Sequence, residues 1–288
     1  MQSVILFLEN GRLGNQLFQY AALKTLFPKE RAVIFGCRDL FDLFDGIDAV
    51  SCGRSQFTLR FAQYVTDEFF LLRLGGHSRE VRFGDSAEVT APLAHKRGLI
   101  RTVCRLTGFF QGERWFSGTT MERLTLKRPL DDAAKALISR EAGSRTPCFV
   151  HIRLGDYLSW PSPEAPAVLP ASWYLTCIAE LRRRHADPYF IVLSDDLPSA
   201  RRLLGHVADA CFLPADAKET FAIMANCQGG VLSASSFSWW AAYFAHRKHA
   251  GGAFLAPLHW LGFRTCEWLP STDIRSTFLD YVSVDLQK

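Results

Sequence analysis

Pro147-Cys148-Phe149-Val150-His151-Ile152-Arg153-Leu154-Gly155-Asp156-Tyr157 is the stretch from which the fold can be read. Pro147–Arg153 reads as a strand. Period-two alternation sends His151 and Arg153 to one face and Val150, Ile152 and Leu154 to the other. Towards the C-terminus the rhythm repeats. Ala171–Arg184 has a helical pattern, Tyr189–Ser194 reads as a buried strand, and Pro198–His206 as a helix. Ala210–Leu213 is a strand, Lys218–Cys227 a helix, Gly230–Ser233 a strand, Ser236–His246 a helix and Ala253–Ala256 a strand. Strands separated by helical patterns predict a parallel, doubly wound α/β sheet.

The N-terminal half is less regular. Ser3–Leu8, a helix from Asn15 to about Phe27, and Arg31–Phe35 make one βαβ-like unit, after which the pattern blurs through Phe41–Phe83. Asp39, Asp42, Asp45 and Asp48 recur every third residue, but they lack the ligand spacing and closing glutamate of a calcium loop and read as an exposed acidic turn. Charge and Gly/Pro content rise over Asp131–Pro147, which predicts domains of residues 1–140 and 141–288.

Composition narrows the chemistry. The 288 residues are 48% hydrophobic and 22% charged, a globular composition. Net charge is only +4, with no basic stripe, which argues against nucleic acid as a partner and suits a small anion or an acidic membrane surface. Arg182-Arg183-Arg184 reads as a solvated helix end, where cations complement the dipole. The eight cysteines form no C-x-x-C pair, and their scatter suits reduced core thiols of a cytosolic protein. The opening residues show no basic signal-peptide region. Thr220–Ala245 is uncharged and long enough to span a bilayer, but its Asn, Gln, Gly and Ser content favours helix–strand–helix.

Three glycine- or serine-punctuated strand ends carry candidate chemistry. In Gly11-Arg12-Leu13-Gly14-Asn15-Gln16-Leu17-Phe18-Gln19-Tyr20, the glycines permit close backbone approach and Asn15 is a credible N-cap. The third Rossmann glycine and the P-loop Gly-Lys-Ser/Thr are both missing. In the second, Arg153 offers a fork of donors suited to a pyrophosphate, and His151 shares its face. Asp156 lies past the strand end, where ligands of open α/β sheets gather. A surface Arg–Asp ion pair is the alternative. In the third, Ser235, Ser236, Phe237 and Ser238 precede Trp239-Trp240, and hydroxyls with unbonded amides at a helix start make a phosphate site or simply a cap. The tryptophans read as core. Asp195 and Asp196 follow the buried strand Phe190–Leu193. A carboxylate there can accept both edge protons of guanine, with Asp196 the first choice and Asp195 the second, or it can cap the helix that Pro198 begins. No D-x-D occurs, so charge on a leaving diphosphate would fall to arginine and helix ends, with no metal or other cofactor expected.

These segments resemble glycosyltransferase family 11, the α-1,2-fucosyltransferases that use GDP-fucose. The resemblance extends to Gly108-Phe109-Phe110-Gln111-Gly112-Glu113-Arg114-Trp115-Phe116, to Leu169-Pro170 with Trp173-Tyr174, and to Ala256-Pro257 with Trp260. One position departs from the family's H-x-R-R-x-D: Leu154 replaces the second arginine.

The resemblance implies a GT-B-like fold, two Rossmann-like α/β lobes with an interdomain cleft, the acceptor on the N-terminal lobe and the donor on the C-terminal one. It implies inverting transfer from GDP-β-L-fucose to the 2-hydroxyl of a terminal galactose, in a bacterial surface glycan such as O-antigen or capsule. The enzyme would be cytoplasmic, with peripheral membrane contact and a lipid-linked acceptor. Donor contacts would fall to Gly14, Asn15, Gln16, His151, Arg153, Asp195, Asp196, Ser235, Ser236, Phe237 and Ser238. Arg153 would neutralise the diphosphate and Asp156 would be the base, with Glu113 and Glu164 the alternatives. Acceptor contacts would involve Gln111, Glu113, Glu164, Trp173 and Tyr174. Two other readings are a transferase for a different GDP-sugar and a catalytically silent glycan-binding module.

Overall fold

The computed structural model describes residues 4–9, 11–52, 109–115, 121–270 and 274–286. Most of Phe41–Phe83, Cys104, and the ends Gly108 and Phe116 of the aromatic segment lie outside the described residues. The chain divides into two units, residues 1–127 and 128–288.

In the first unit β1 (Val4–Leu8), β2 (Arg31–Phe35) and β4 (Val50–Cys52) form a parallel sheet in the order β1-β2-β4. Helix α1 (Leu13–Leu26) joins β1 to β2 and buries Leu17, Phe18, Tyr20, Ala21 and Ala22. It starts earlier than expected. Arg12 stands at the N-cap in extended backbone with no side-chain cap bond, so Asn15 lies within the first turn and is not the cap. The spaced aspartates are not one exposed turn. Asp42 lies on helix α2 (Arg38–Leu43), Asp45 in β3 (Phe44–Asp45), and Asp48 pairs with Lys24 at 2.7 Å. β3 pairs antiparallel with β5 (Thr125–Leu126).

The second unit opens with helix α3 (Arg128–Ala142), where the sequence had suggested a boundary. Its inward residues Ala134, Ile138 and Ala142 recur every four residues beneath a charged exterior, so charge density concealed the helical period. The division therefore falls ahead of α3. β6 (Thr146–Ile152), α4 (Ala171–Arg184), β7 (Pro188–Ser194), α5 (Leu197–Leu204), β8 (Ala210–Phe212), α6 (Ala217–Met224), β9 (Gly229–Val231), α7 (Ser236–Lys248) and β10 (Phe254–Pro257) follow, close to the expected bounds. β11 (Asp280–Val282) completes a six-stranded parallel sheet in the order β11-β10-β9-β6-β7-β8. Counted from β6 as strand one, this is the 3-2-1-4-5-6 order of a doubly wound sheet, with its switch point between β6 and β9.

Alternation along β6 holds. Cys148, Val150, Ile152 and Leu154 enter one apolar cluster with Trp173, Tyr174, Cys177, Ile178 and Leu181 of α4 and with Phe190 and Val192 of β7. Full burial of a large apolar side chain contributes roughly 1.5–3 kcal/mol. Thr220–Ala245 resolves into α6, β9 and α7, and no described helix is long and apolar enough to cross a membrane.

Candidate active site at the carboxyl ends of β6 and β9

Ligands of open α/β sheets bind where strand order reverses, at the carboxyl ends of the strands. Here that place is the end of β6, which carries His151 to Asp156, beside the loop from Ser233 to Ser235 that leads from β9 into α7.

Ser233 fastens the two strand ends together. Its hydroxyl donates to the His151 carbonyl at 2.8 Å, accepts from the Arg153 main-chain N–H at 2.8 Å, and bonds the Tyr174 hydroxyl at 2.9 Å. Sequence reasoning had counted Ser233 only as the end of a strand. Its signal is a lone serine at the close of a glycine–valine–leucine run, too faint to single out. The Tyr157 hydroxyl adds a bond to the Ala234 carbonyl at 2.9 Å.

The Arg153 guanidinium carries two carboxylates. Nη1 lies 2.7 Å from Asp195 Oδ2, and Nη2 donates to Asp156 Oδ1. Its carbon stands 5.7 Å over the Tyr157 ring. Asp195 also accepts the Leu154 main-chain N–H at 2.9 Å, which fixes it against the β6 end. Gly155 makes room for this: a Cβ there would lie 2.4 Å from Asp195 Oδ2. Asp195 thus binds the protein's own arginine and backbone.

His151 is buried on the same face, its ring 5.7 Å from that of Phe237, and Nδ1 has no hydrogen-bond partner. Burial, aided by the charge of Arg153, pushes its pKa down from 6.5 to about 3, so the imidazole is neutral at physiological pH. Such a nitrogen is open to a ligand or a water, as is Gln16 Oε1 in the first unit.

Helix α7 opens beside it. Ser235 is the N-cap but makes no side-chain cap bond, so the first-turn amides gain nothing from its hydroxyl. Ser236 and Phe237 are partly exposed there. Ser238 is not: its hydroxyl turns back to the Ser233 and Ser235 carbonyls, both at 3.1 Å, which corrects its placement among donor contacts. Trp239 and Trp240 are core side chains.

Asp196 is the N-cap of α5. Oδ1 accepts from the Ser199 N–H at 3.1 Å and Oδ2 from the Ser199 hydroxyl at 2.6 Å, bonds that also hold its pKa down. A guanine edge would share oxygens already engaged by the cap.

Trp173 and Tyr174 need correction as acceptor contacts. Both are core residues of α4, with the Trp173 indole N–H bonded to the Val282 carbonyl at 3.2 Å, so neither presents a surface to a sugar. Glu164 is exposed, its carboxyl held below the usual range chiefly by the Ser162 hydroxyl, which weakens it as a base.

In the first unit the β1–α1 turn is a network of side-chain amides. Gln16 Nε2 donates to Glu9 Oε1 at 3.0 Å and to the Gly11 carbonyl at 3.1 Å, while Glu9 Oε2 accepts the Cys37 N–H at 2.7 Å. Gln16 and Gly14 are buried; Gln16 fastens the turn through Nε2, while its Oε1 has no hydrogen-bond partner among the described residues. Asn15 Oδ1 accepts from Gln111 Nε2 at 2.8 Å, and Glu113, two residues on, opens a short 3₁₀ helix. Gly11 adopts φ +82°, where an added Cβ would meet the Asn15 amide at 2.8 Å.

Among the described residues no three His, Cys, Asp or Glu side chains gather in a group that could hold a metal ion. The seven described cysteines are unpaired thiols, and burial pushes the pKa of Cys148 up to about 12.

Residues 133–260 match the model of glycosyl transferase family 11. Alpha-1,2-colitosyltransferase of Escherichia coli is 26% identical over 57% of this chain and 58% of its own. Galactoside alpha-(1,2)-fucosyltransferase 1 of Alouatta caraya is 26% identical over 82% and 64%. The chain thus spans under two thirds of these relatives' lengths. Among solved structures, NodZ alpha-1,6-fucosyltransferase soaked with GDP-fucose superposes with a TM-score of 0.52 at 12% identity, covering 85% of this chain and 93% of that one. POFUT1 in complex with GDP-fucose superposes at 0.51 and 14% identity, over 88% and 98%. At such identities the likeness shows the fold, which is GT-B-like α/β. Over residues 133–260, under half of its length, the chain is thus similar to glycosyl transferase family 11.

Proposed function

We propose that the protein is an inverting glycosyltransferase that moves L-fucose from GDP-β-L-fucose to the 2-hydroxyl of a galactoside. One observation carries the reading: an arginine fixed at the switch point of a doubly wound sheet, next to a helix start whose cap hydroxyl leaves the first-turn amides alone. A diphosphate needs both elements, a cation in forked geometry and amide donors at a helix N-terminus. The 2-linkage is supported by the two relatives, each named as an α-1,2-transferase, and the fucosyl group by the second of them alone.

In the reaction the acceptor oxygen bonds the anomeric carbon, and GDP departs with the electron pair of the broken C–O bond. Charge grows on the diphosphate, where Arg153 and the α7 amides stabilise it more in the transition state than in the ground state. His151, neutral and with Nδ1 unpaired, offers a hydrogen-bonding atom without adding charge. The proton of the acceptor hydroxyl passes to a carboxylate, for which Asp156 is the choice because it stands at the same strand end and more than half its side chain faces solvent. Asp196 reads guanine from the rim of the site. No divalent cation takes part, so activity survives EDTA. The product belongs to a bacterial surface glycan, made on the cytoplasmic side of the membrane from a lipid-linked acceptor.

The test incubates purified protein with GDP-fucose and β-galactosides and maps the new linkage. An α-1,2-fucoside supports the reading. Transfer from another GDP-sugar alone replaces it with the second reading; one relative is named for a sugar other than fucose.

A further inference from the structure

We propose that the two carboxylates on Arg153 divide its control. Asp195 is the permanent positioning residue that aims the guanidinium, while Asp156 is an exchangeable counterion that yields its place to the diphosphate of the bound nucleotide. The inference rests on a diphosphate ligand at this site and extends it to the order of events there.

The two acids differ in how they are held. The Asp195 side chain is 25% exposed and is anchored twice, on Arg153 and on the Leu154 N–H. It leaves the end of β7, whose register with β6 pairs Ser194 with Ile152, so its position follows from the sheet. Gly155 is shaped to it, since any side chain there would meet Oδ2. Asp156 is 55% exposed, lies on a 3₁₀ turn three residues from its partner, and has Arg153 as its side-chain contact. A rotation about its own side-chain bonds takes it into water. The same motion of Asp195 would leave a main-chain N–H without a partner.

Charge makes the exchange necessary. Arg153 contributes +1 and its two acids −2, so the cluster carries −1 where an anion must bind. His151 is neutral and Tyr157 stays protonated, burial having pushed its pKa up to about 12, so neither offsets the excess. A diphosphate placed against the intact cluster is repelled. With Asp156 withdrawn, the cluster is neutral and Nη2 regains a donor for a phosphate oxygen. Donor binding would then precede acceptor chemistry, because the carboxylate reaches the acceptor side only once the arginine has released it.

The consequence is a difference in sign. Asp156→Asn removes the charge that opposes the diphosphate, so GDP binds about three- to tenfold more tightly while turnover falls. Asp195→Asn keeps an oxygen for the Leu154 N–H but sets an amide N–H2 against Nη1 of Arg153. GDP affinity then drops about tenfold, turnover drops further, and the preference for GDP over ADP is unchanged, because aim and not base reading has been lost. Calorimetry with GDP, ADP and inorganic pyrophosphate on the wild type and both variants, beside melting temperatures, reads all of this. Asp156 is exposed, so its variant folds whatever Asp195 does. If pyrophosphate or ADP binds and GDP has no advantage, the guanine reading fails while the sign test is still read on the ligand that binds. Equal loss of affinity in both variants overturns the proposal, as does loss of the GDP preference in Asp195→Asn. Failure of every diphosphate to bind overturns it too.

Discussion

The β1–α1 turn of the first unit and the β6 end of the second are both strand exits, yet they solve opposite problems. The first wraps a carboxylate in neutral donors: the Gln16 amide and the Cys37 main-chain N–H bind the two oxygens of Glu9, and Gln111 binds Asn15. The second gathers a cation, two acids and a buried imidazole nitrogen with no partner, next to a helix start whose cap hydroxyl is turned elsewhere. The first turn surrounds the Glu9 carboxylate with the protein's own donors and leaves Gln16 Oε1 unbonded. The second keeps a cation at its surface beside a helix start, balanced by carboxylates that differ in how firmly they are held.

The largest expected effect belongs to Arg153. Arg153→Ala should lower turnover by about 10²–10³, or roughly 2.7–4 kcal/mol of transition-state stabilisation. Steady-state assays with a saturating acceptor read it, and an unchanged rate would make the two turns equivalent. Leu154→Arg, which restores the arginine pair of the resemblance, should destabilise the fold by about 3 kcal/mol or more. Leu154 packs with Ile152, Trp173 and Tyr174, where a charge has no partner. Denaturant unfolding checks this, and a tighter GDP complex at unchanged stability would refute it.

Smaller effects sharpen the contrast. Gln16→Ala should cost about 1–3 kcal/mol of stability, because the Glu9 carboxylate loses a partner, while GDP affinity stays within twofold. A larger binding loss would return Gln16 to the donor site. The buried imidazole makes stability depend on pH. Its pKa is about 3 when folded against 6.5 unfolded, so its contribution is fully present above pH 6.5 and is lost as pH falls towards 3. The unfolded state binds more protons in that window, giving a slope of about 1.4 kcal/mol per pH unit. His151→Gln should flatten it, and an unchanged slope between pH 6 and 4 would show that the ring is solvated.

Much of this was legible in the sequence. Period two along Val150–Leu154 placed Arg153 and His151 opposite Leu154, and β6 keeps that alternation. The strand–helix rhythm gave the sheet because each strand is apolar and each helix amphipathic. Three things were hidden. Helix α3 wears charge on most of its surface, which disguised its inward alanines and isoleucine. The resemblance put Trp173 and Tyr174 at the acceptor, but the spacing of Trp173, Cys177 and Leu181 turns that face of α4 inward. The roles of Asp195 and Ser233 depend on bonds across 41 and 80 residues, which no local pattern encodes.

Whether Arg153 meets a diphosphate is tested most directly by comparing GDP with guanosine. Calorimetry on the wild type and on Arg153→Ala yields two affinity ratios. The wild type should favour GDP by a wide margin that shrinks with added salt, and Arg153→Ala should lose most of that margin while binding guanosine as before. A variant that keeps the full preference for GDP would contradict the account.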